Sequence, residues 1–153
     1  MGIVDYVGNR FTTVDYHAIT TQAGLPFEKR LCIVYDELCE ALKIFTPDAL
    51  AVEQLFYTTN QKTVMHVSEA RGVILLAAEK CGVPIFQYTP LQVKQGVAGY
   101  GKATKKQVQE MTRVLLSLPS IPKPDDVADA LAVAICHAHS YRSKIIHERR
   151  TNL

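Results

Sequence analysis

Long apolar runs are the first thing this sequence lacks. The longest, such as Ala130–Cys136, fall far short of the roughly 18 residues that a membrane-crossing helix needs. The N-terminus has no basic stretch followed by an apolar one, so no secretory leader is expected. Charge of one sign is scarce too. The net charge is only +2 and the pI about 8.3, so bulk charge does not announce a nucleic-acid partner and only the placement of charges can. The four cysteines, Cys32, Cys39, Cys81 and Cys136, include no CxxC pair, and no Cys/His group has zinc-finger spacing. Cys32 and Cys39 are seven residues apart, which puts them on one helix face. Reduced, mostly buried thiols in a cytoplasmic protein are the expectation. There is no internal repeat, low-complexity stretch or linker.

What is present suits one folded domain. The chain has 153 residues, 48% of them apolar and 21% charged, enough to bury a core and too few for two ordinary domains. Ile3, Val4 and Tyr6 lead into Gly8-Asn9, a hairpin turn signal, and Phe11–Thr21 is rich in strand formers. Leu31, Val34, Tyr35, Leu38, Leu42 and Phe45 recur at helical spacing, which predicts a helix from about Pro26 to Phe45. Ala49–Val52 reads as a buried strand ending in Glu53. Gln54–Gln61 reads as a loop, Thr63–Lys80 as a helix stopped by Gly82, and Val83–Tyr88 as a strand. Pro90 opens a short helix to Val97, and Thr104 with Gln107 forms a capping box for another reaching about Leu116. A last helix runs from Asp125 or Asp126 to about Tyr141, so that 1–141 is the domain and Arg142–Leu153 a basic, frayed tail. Strands separated by helices predict an α/β sandwich with parallel pairs, whose chemistry gathers at the carboxyl ends of strands. Glu53 stands at such an end.

Three acids form the sharpest constellation. Asp126 and Asp129 lie three residues apart at a helix start, a spacing that brings β-carbons within about 5–6 Å on one face. Gathered carboxylates repel and prefer to keep their protons. A hard cation such as Mg²⁺ removes that penalty, and two such ions about 4 Å apart can clamp a phosphodiester and activate water. Each acid also has a plainer reading: a strand-end glutamate at a solvated rim, and first-turn aspartates favoured by the helix dipole. By spacing alone the plainer reading leads, and for Asp125 it is the one adopted.

Ala51-Val52-Glu53-Gln54-Leu55-Phe56, Ala70–Leu75, Gln92-Val93-Lys94-Gln95, Gly99-Tyr100-Gly101 and Asp126-Val127-Ala128-Asp129-Ala130-Leu131-Ala132 together resemble, in order, the sequence blocks of the RuvC family of Holliday-junction resolvases. The likeness runs from about Gly2 to His139. It implies a ribonuclease-H-like fold, a mixed sheet flanked by helices, in a homodimer that resolves four-way DNA junctions by paired symmetric nicks during recombination and repair. It implies Glu53, Asp126 and Asp129 as catalytic and metal-binding acids, on two Mg²⁺ ions or on Mn²⁺. Four acids are usual in the family, and the first lies in an Ile-Asp-Pro-Gly-like motif on a strand ahead of the segment matching Gly2–Tyr6. No such motif occurs here, and Asp5, just before the hairpin turn, is a poor substitute. A late start or a truncation is the expectation. A junction-binding module with an incomplete metal site is the alternative, and an unrelated α/β domain whose acids only cap helices is a third.

For DNA, the resemblance implies Lys94 and Lys105 as phosphate contacts, with Lys102 and Lys106 close by, and Phe56 (Tyr57 more weakly) as an aromatic stacking on an unpaired base. Arg71 reaches DNA or braces its helix. His137 and His139 read as core-packing or surface residues rather than metal ligands. The helix Thr63–Lys80 is apolar on more than one face, as a dimer surface or a thicker core requires. RuvA-like and RuvB-like proteins are the partners the resemblance implies.

Overall fold

A computed structural model describes residues 1–54 and 61–151, with side chains for 1–54 and 64–141. The order is β1 (Gly2–Val7), β2 (Arg10–Tyr16), α1 (Phe27–Phe45), β3 (Leu50–Glu53), α2 (Gln61–Lys80), β4 (Ile85–Tyr88), α3 (Pro90–Ala98), α4 (Lys105–Leu115) and α5 (Asp125–Thr151). Every helix and strand expected from the sequence is there, α2 beginning at Gln61, and the rest of the expected Gln54–Gln61 loop, residues 55–60, lies outside the described residues. The largest difference is at the C-terminus, where α5 runs past Tyr141 to Thr151. No glycine or proline interrupts 142–151, so nothing local stops the helix where its apolar pattern fades.

The described strands pair as two 2-stranded sheets, β1 with β2 and β3 with β4. The β1–β2 hairpin is antiparallel, and Gly8 and Asn9 at its turn have φ of 57° and 69°. Both central residues of such a two-residue turn need positive φ to match strand twist, which is why Gly and Asn stand there.

Two compact units divide the chain: Met1–Ala18, Ala51–Glu53 and Gln87–Leu153 in the first, Ile19–Leu50 and Gln54–Phe86 in the second. The first is built on α5. Val127, Ala128, Leu131, Ala132, Ile135 and Cys136 are at most 1% exposed, and β1, α3 and α4 all pack on this helix. Close approach depends on missing side chains. A β-carbon at Gly96 of α3 would lie 3.1 Å from the Cys136 Cα, and one at Gly2 would lie 2.6 Å from Leu131 Cδ2. Thr89 with Gln92 and Thr104 with Gln107 form reciprocal capping boxes at the starts of α3 and α4, so each helix begins with its free N–H groups partly satisfied.

In the second unit α1 packs on α2 around Leu38, Cys39, Ala41, Leu42, Ala77, Ala78 and Val83. The Phe27 ring lies 4.0 Å, centre to centre, from that of His66. Cys39 and Cys136 are buried, whereas Cys32 is exposed and Cys81 half-buried, all four as free thiols. Burial therefore holds for only two of the four. Cys32 shares a helix face with Cys39 but lies nearer the start of α1, where no residue is fully buried.

Candidate functional site

The site lies within the first unit, where the end of β3 and the first turns of α4 and α5 each contribute charge. Glu53 is the last residue of β3 and is exposed, though enough protein flanks it to strip hydration. That desolvation is the main reason its carboxyl titrates above the ordinary range. The charge of Asp129 pushes the same way, and Lys105 pulls against both. Two carboxylates close enough to disturb one another thus face a single ammonium.

That ammonium belongs to the first residue of α4. Lys105 Nζ lies 3.1 Å from Asp129 Oδ2 and 3.6 Å from Asp125 Oδ2. Its pKa is raised, chiefly by the bond to Asp129. Asp125 also takes Lys123 Nζ on Oδ1 at 2.7 Å. The Lys123 bond is the main reason the Asp125 carboxyl sits below the usual aspartate range. Gln109, one turn after Lys105, is only 8% exposed. Its side chain also holds the Asp125 carboxyl down, yet its Nε2 makes no well-formed hydrogen bond.

Of the residues singled out in the sequence, Glu53, Asp129 and Lys105 come together. Asp126 is exposed and acts instead on the Met1 amino group, in company with Asp15. Three residues of helix turn put Asp126 about 60° from Asp129 around the axis, whereas four put Asp125 only about 40° away, and it is Asp125 that shares Lys105. Lys94 is half-buried on α3, and Lys102 and Lys106 are exposed near the start of α4. Arg71 is half-buried on α2 in the second unit. Phe56 and Tyr57 lie outside the described residues. Asp5 is exposed on β1 opposite Thr12. His137 Nδ1 meets the Tyr88 hydroxyl at 2.8 Å, and His139 Nδ1 donates to the Gly96 carbonyl at 2.8 Å. Both histidines tie α5 to its neighbours. Lys123 and Gln109 are the contributors not singled out, and Asp125, read from the sequence as a helix cap only, is the third. The one sequence signal for Gln109 is its spacing of four from Lys105, which puts both on one face of α4.

Among the described residues, no three His, Cys, Asp or Glu side chains gather tightly enough to enclose an ion by themselves. A magnesium-type cation does not need that: it commonly keeps its waters and takes one or two carboxylates with substrate phosphate. Glu53 and Asp129 are hard oxygen donors, and the cation now acting on both is an ammonium. The donor set therefore fits a divalent ion.

Carboxylates at a strand end and a helix start, with lysines alongside on an α/β frame, make a class of site that handles phosphodiesters through a hard cation. Comparison with known proteins gives the particular family. The model for "Crossover junction endodeoxyribonuclease RuvC" matches residues 1–137, and the chain belongs to that family. A RuvC of Ruminiclostridium cellulolyticum is 57% identical over 141 residues, covering 92% of this chain and 85% of the relative. One from Fusobacterium nucleatum is 51% identical over 152 residues, covering 99% of this chain and 80% of the relative. The solved Thermus thermophilus RuvC superposes with a TM-score of 0.86 at 35% identity, over 94% of this chain and 88% of that one. The same protein in complex with a Holliday junction substrate superposes at 0.87, over 94% and 87%. The ribonuclease-H-like fold class expected from the sequence is borne out, and the family is one that depends on a divalent metal.

Proposed function

We propose that this chain is a crossover junction endodeoxyribonuclease, hydrolysing phosphodiesters in four-way DNA junctions by paired symmetric nicks in recombination and repair. The observation that carries this reading is the Lys105 ammonium on Asp129 beside a Glu53 carboxyl raised by burial and by the charge of Asp129, in a chain that superposes on a RuvC bound to junction DNA. Glu53, Asp129 and Asp126 are the proposed acids, holding Mg²⁺ (two ions in the complete site), with Mn²⁺ as a substitute. The bound ion supplies positive charge at the attacked phosphate and a water of lowered pKa. Lys105 and Lys94 hold phosphate oxygens of the strand being cut, so binding falls as salt rises. Phe56 stacks on an unpaired base at the crossover, and Arg71 contacts the backbone. Residues 1–141 form the resolvase domain and 142–153 a basic tail. The working form is a cytoplasmic homodimer, since two sites on strands of like polarity cut symmetrically, and RuvA-like and RuvB-like proteins deliver the junction. No helix among the described residues is long and apolar enough to cross a membrane.

The test is cleavage of a labelled synthetic four-way junction, with Mg²⁺ or with EDTA, beside a linear duplex. Metal-dependent paired nicking of the junction alone is expected, with binding retained and cutting lost in Glu53→Gln. Unchanged cutting in that variant would sink the site assignment.

A further inference from the structure

Asp125 is the acid that the reaction reading leaves over, and its surroundings are the most polar at this end of α5. One carboxylate oxygen holds Lys123 at 2.7 Å, and the other stands 3.6 Å from Lys105. Lys105 is at the same time 3.1 Å from Asp129. The ammonium therefore sits between two aspartates one helical turn apart, nearer the one proposed to bind metal. The amide of Gln109, over nine-tenths buried, backs Asp125 from α4.

A divalent ion arriving at Glu53 and Asp129 meets a competitor, because the ammonium already occupies an Asp129 oxygen. Two cations on one carboxylate repel, and at such range water does not screen the repulsion away. Lys105 must yield Asp129. Without another anion within reach it would resist displacement or leave for solvent. Asp125 lies within reach, on the same helix and partly in contact already.

We propose that Asp125 is a positioning residue for Lys105, a second seat that takes the ammonium when a divalent cation claims Asp129 and keeps it beside the site for the incoming phosphate. This rests on the reading of Glu53 and Asp129 as metal ligands. Asp125 acts through the lysine and touches neither ion nor DNA.

The experiment is Mn²⁺ titration of the full chain by calorimetry at pH 8, without DNA, so that no turnover is read. Lys105→Met, which removes the competitor, should tighten Mn²⁺ roughly three- to tenfold, the size of an ordinary coupling between charged neighbours. Asp125→Asn leaves Lys105 only the acids that the ion itself claims, Asp129 and Glu53, and should weaken Mn²⁺ by a similar factor. In the Lys105→Met background the Asp125 change should have almost no effect. Lys123→Met, which removes equal charge from the far side of Asp125, should change affinity far less than Lys105→Met. Far-UV circular dichroism and thermal melts confirm that each variant is folded.

An Asp125→Asn effect that persists without Lys105 would overturn the proposal, as would equal effects from the two lysines. If Asp129→Asn abolishes Mn²⁺ binding and Lys105→Met leaves it unaltered, this inference falls while the metal site stands. If the unmodified chain binds Mn²⁺ no better than Asp129→Asn, the site reading and the inference fall together.

Discussion

Helices α5 and α2 are similar in their supply of small and apolar residues and opposite in how they use them. In α5, six residues from Val127 to Cys136 are at most 1% exposed. Among the described side chains of α2 only Ala77 and Ala78 are buried, while Met65, Leu76 and Val67 are 66%, 54% and 48% exposed. Each is the long helix of its own unit. The difference teaches where precision is kept. Asp125, Asp129 and Lys105 stand near the starts of helices whose later turns pack in the core, so the backbone that carries them is fixed by close-packed neighbours. The outer face of α2 leaves its apolar surface to the proposed homodimer.

The sharpest way to break that contrast is to cut the same kind of side chain from both helices. Leu131→Ala in α5 should cost about 2–5 kcal/mol, because the surrounding core relaxes only partly around the cavity. Leu76→Ala in α2 should stay within about 0.5 kcal/mol. Urea unfolding at low protein concentration measures both. Equal losses would mean that the outer face of α2 is covered as thoroughly as α5 is.

A second probe sharpens the α5 side. Tyr88 and His137 join β4 to α5 by a part-buried hydrogen bond, and burial holds the His137 imidazole below the ordinary histidine pKa. Tyr88→Phe should cost about 1 kcal/mol. The pH dependence has a definite sign. Since the unfolded chain binds this proton more tightly, the contribution is whole above the ordinary value of 6.5 and is lost as pH falls from there through the lower folded value. Replacing the titratable imidazole by His137→Phe should flatten the fall in melting temperature over that window. A fall left unchanged would place the sensitive group elsewhere.

The sequence was most legible where one residue's chemistry is decided by its near neighbours. Gly8-Asn9 demands a particular turn, Thr104 and Gln107 satisfy each other's backbone, and Glu53 follows a short apolar run that reads as a buried strand. It was least legible where a second helix decides the outcome. Asp125 in a first turn has a sufficient local explanation, and nothing nearby in the chain says that Lys105, twenty residues earlier, will lie against it. The spacing of Asp126 and Asp129 suggests one shared face, but the position of α4 picks Asp125 and Asp129 instead. Cys32 fails the same way, since periodicity places it on the inner face of α1 but cannot say where along the helix cover begins.

The smallest expected effect tests whether the site opposes the rigidity that supports it. Desolvation and Asp129 raise the Glu53 carboxyl, and Lys105 only partly offsets them. A carboxyl that holds its proton more tightly when folded makes the folded state lose stability as pH climbs from the unfolded value through the folded one. Above that window, in the absence of metal, ionised Glu53 is a net cost to the fold. Glu53→Gln keeps the shape and removes the charge, so at pH 8 in EDTA it should raise the melting temperature slightly, while at pH 4 the two proteins should melt alike. Excess Mn²⁺ should reverse the order at pH 8, because only the glutamate gains binding energy from the ion. A variant that melts lower than the parent at pH 8 without metal would show that Lys105 more than cancels the burial of Glu53, and that this acid is already stabilised before any ion arrives.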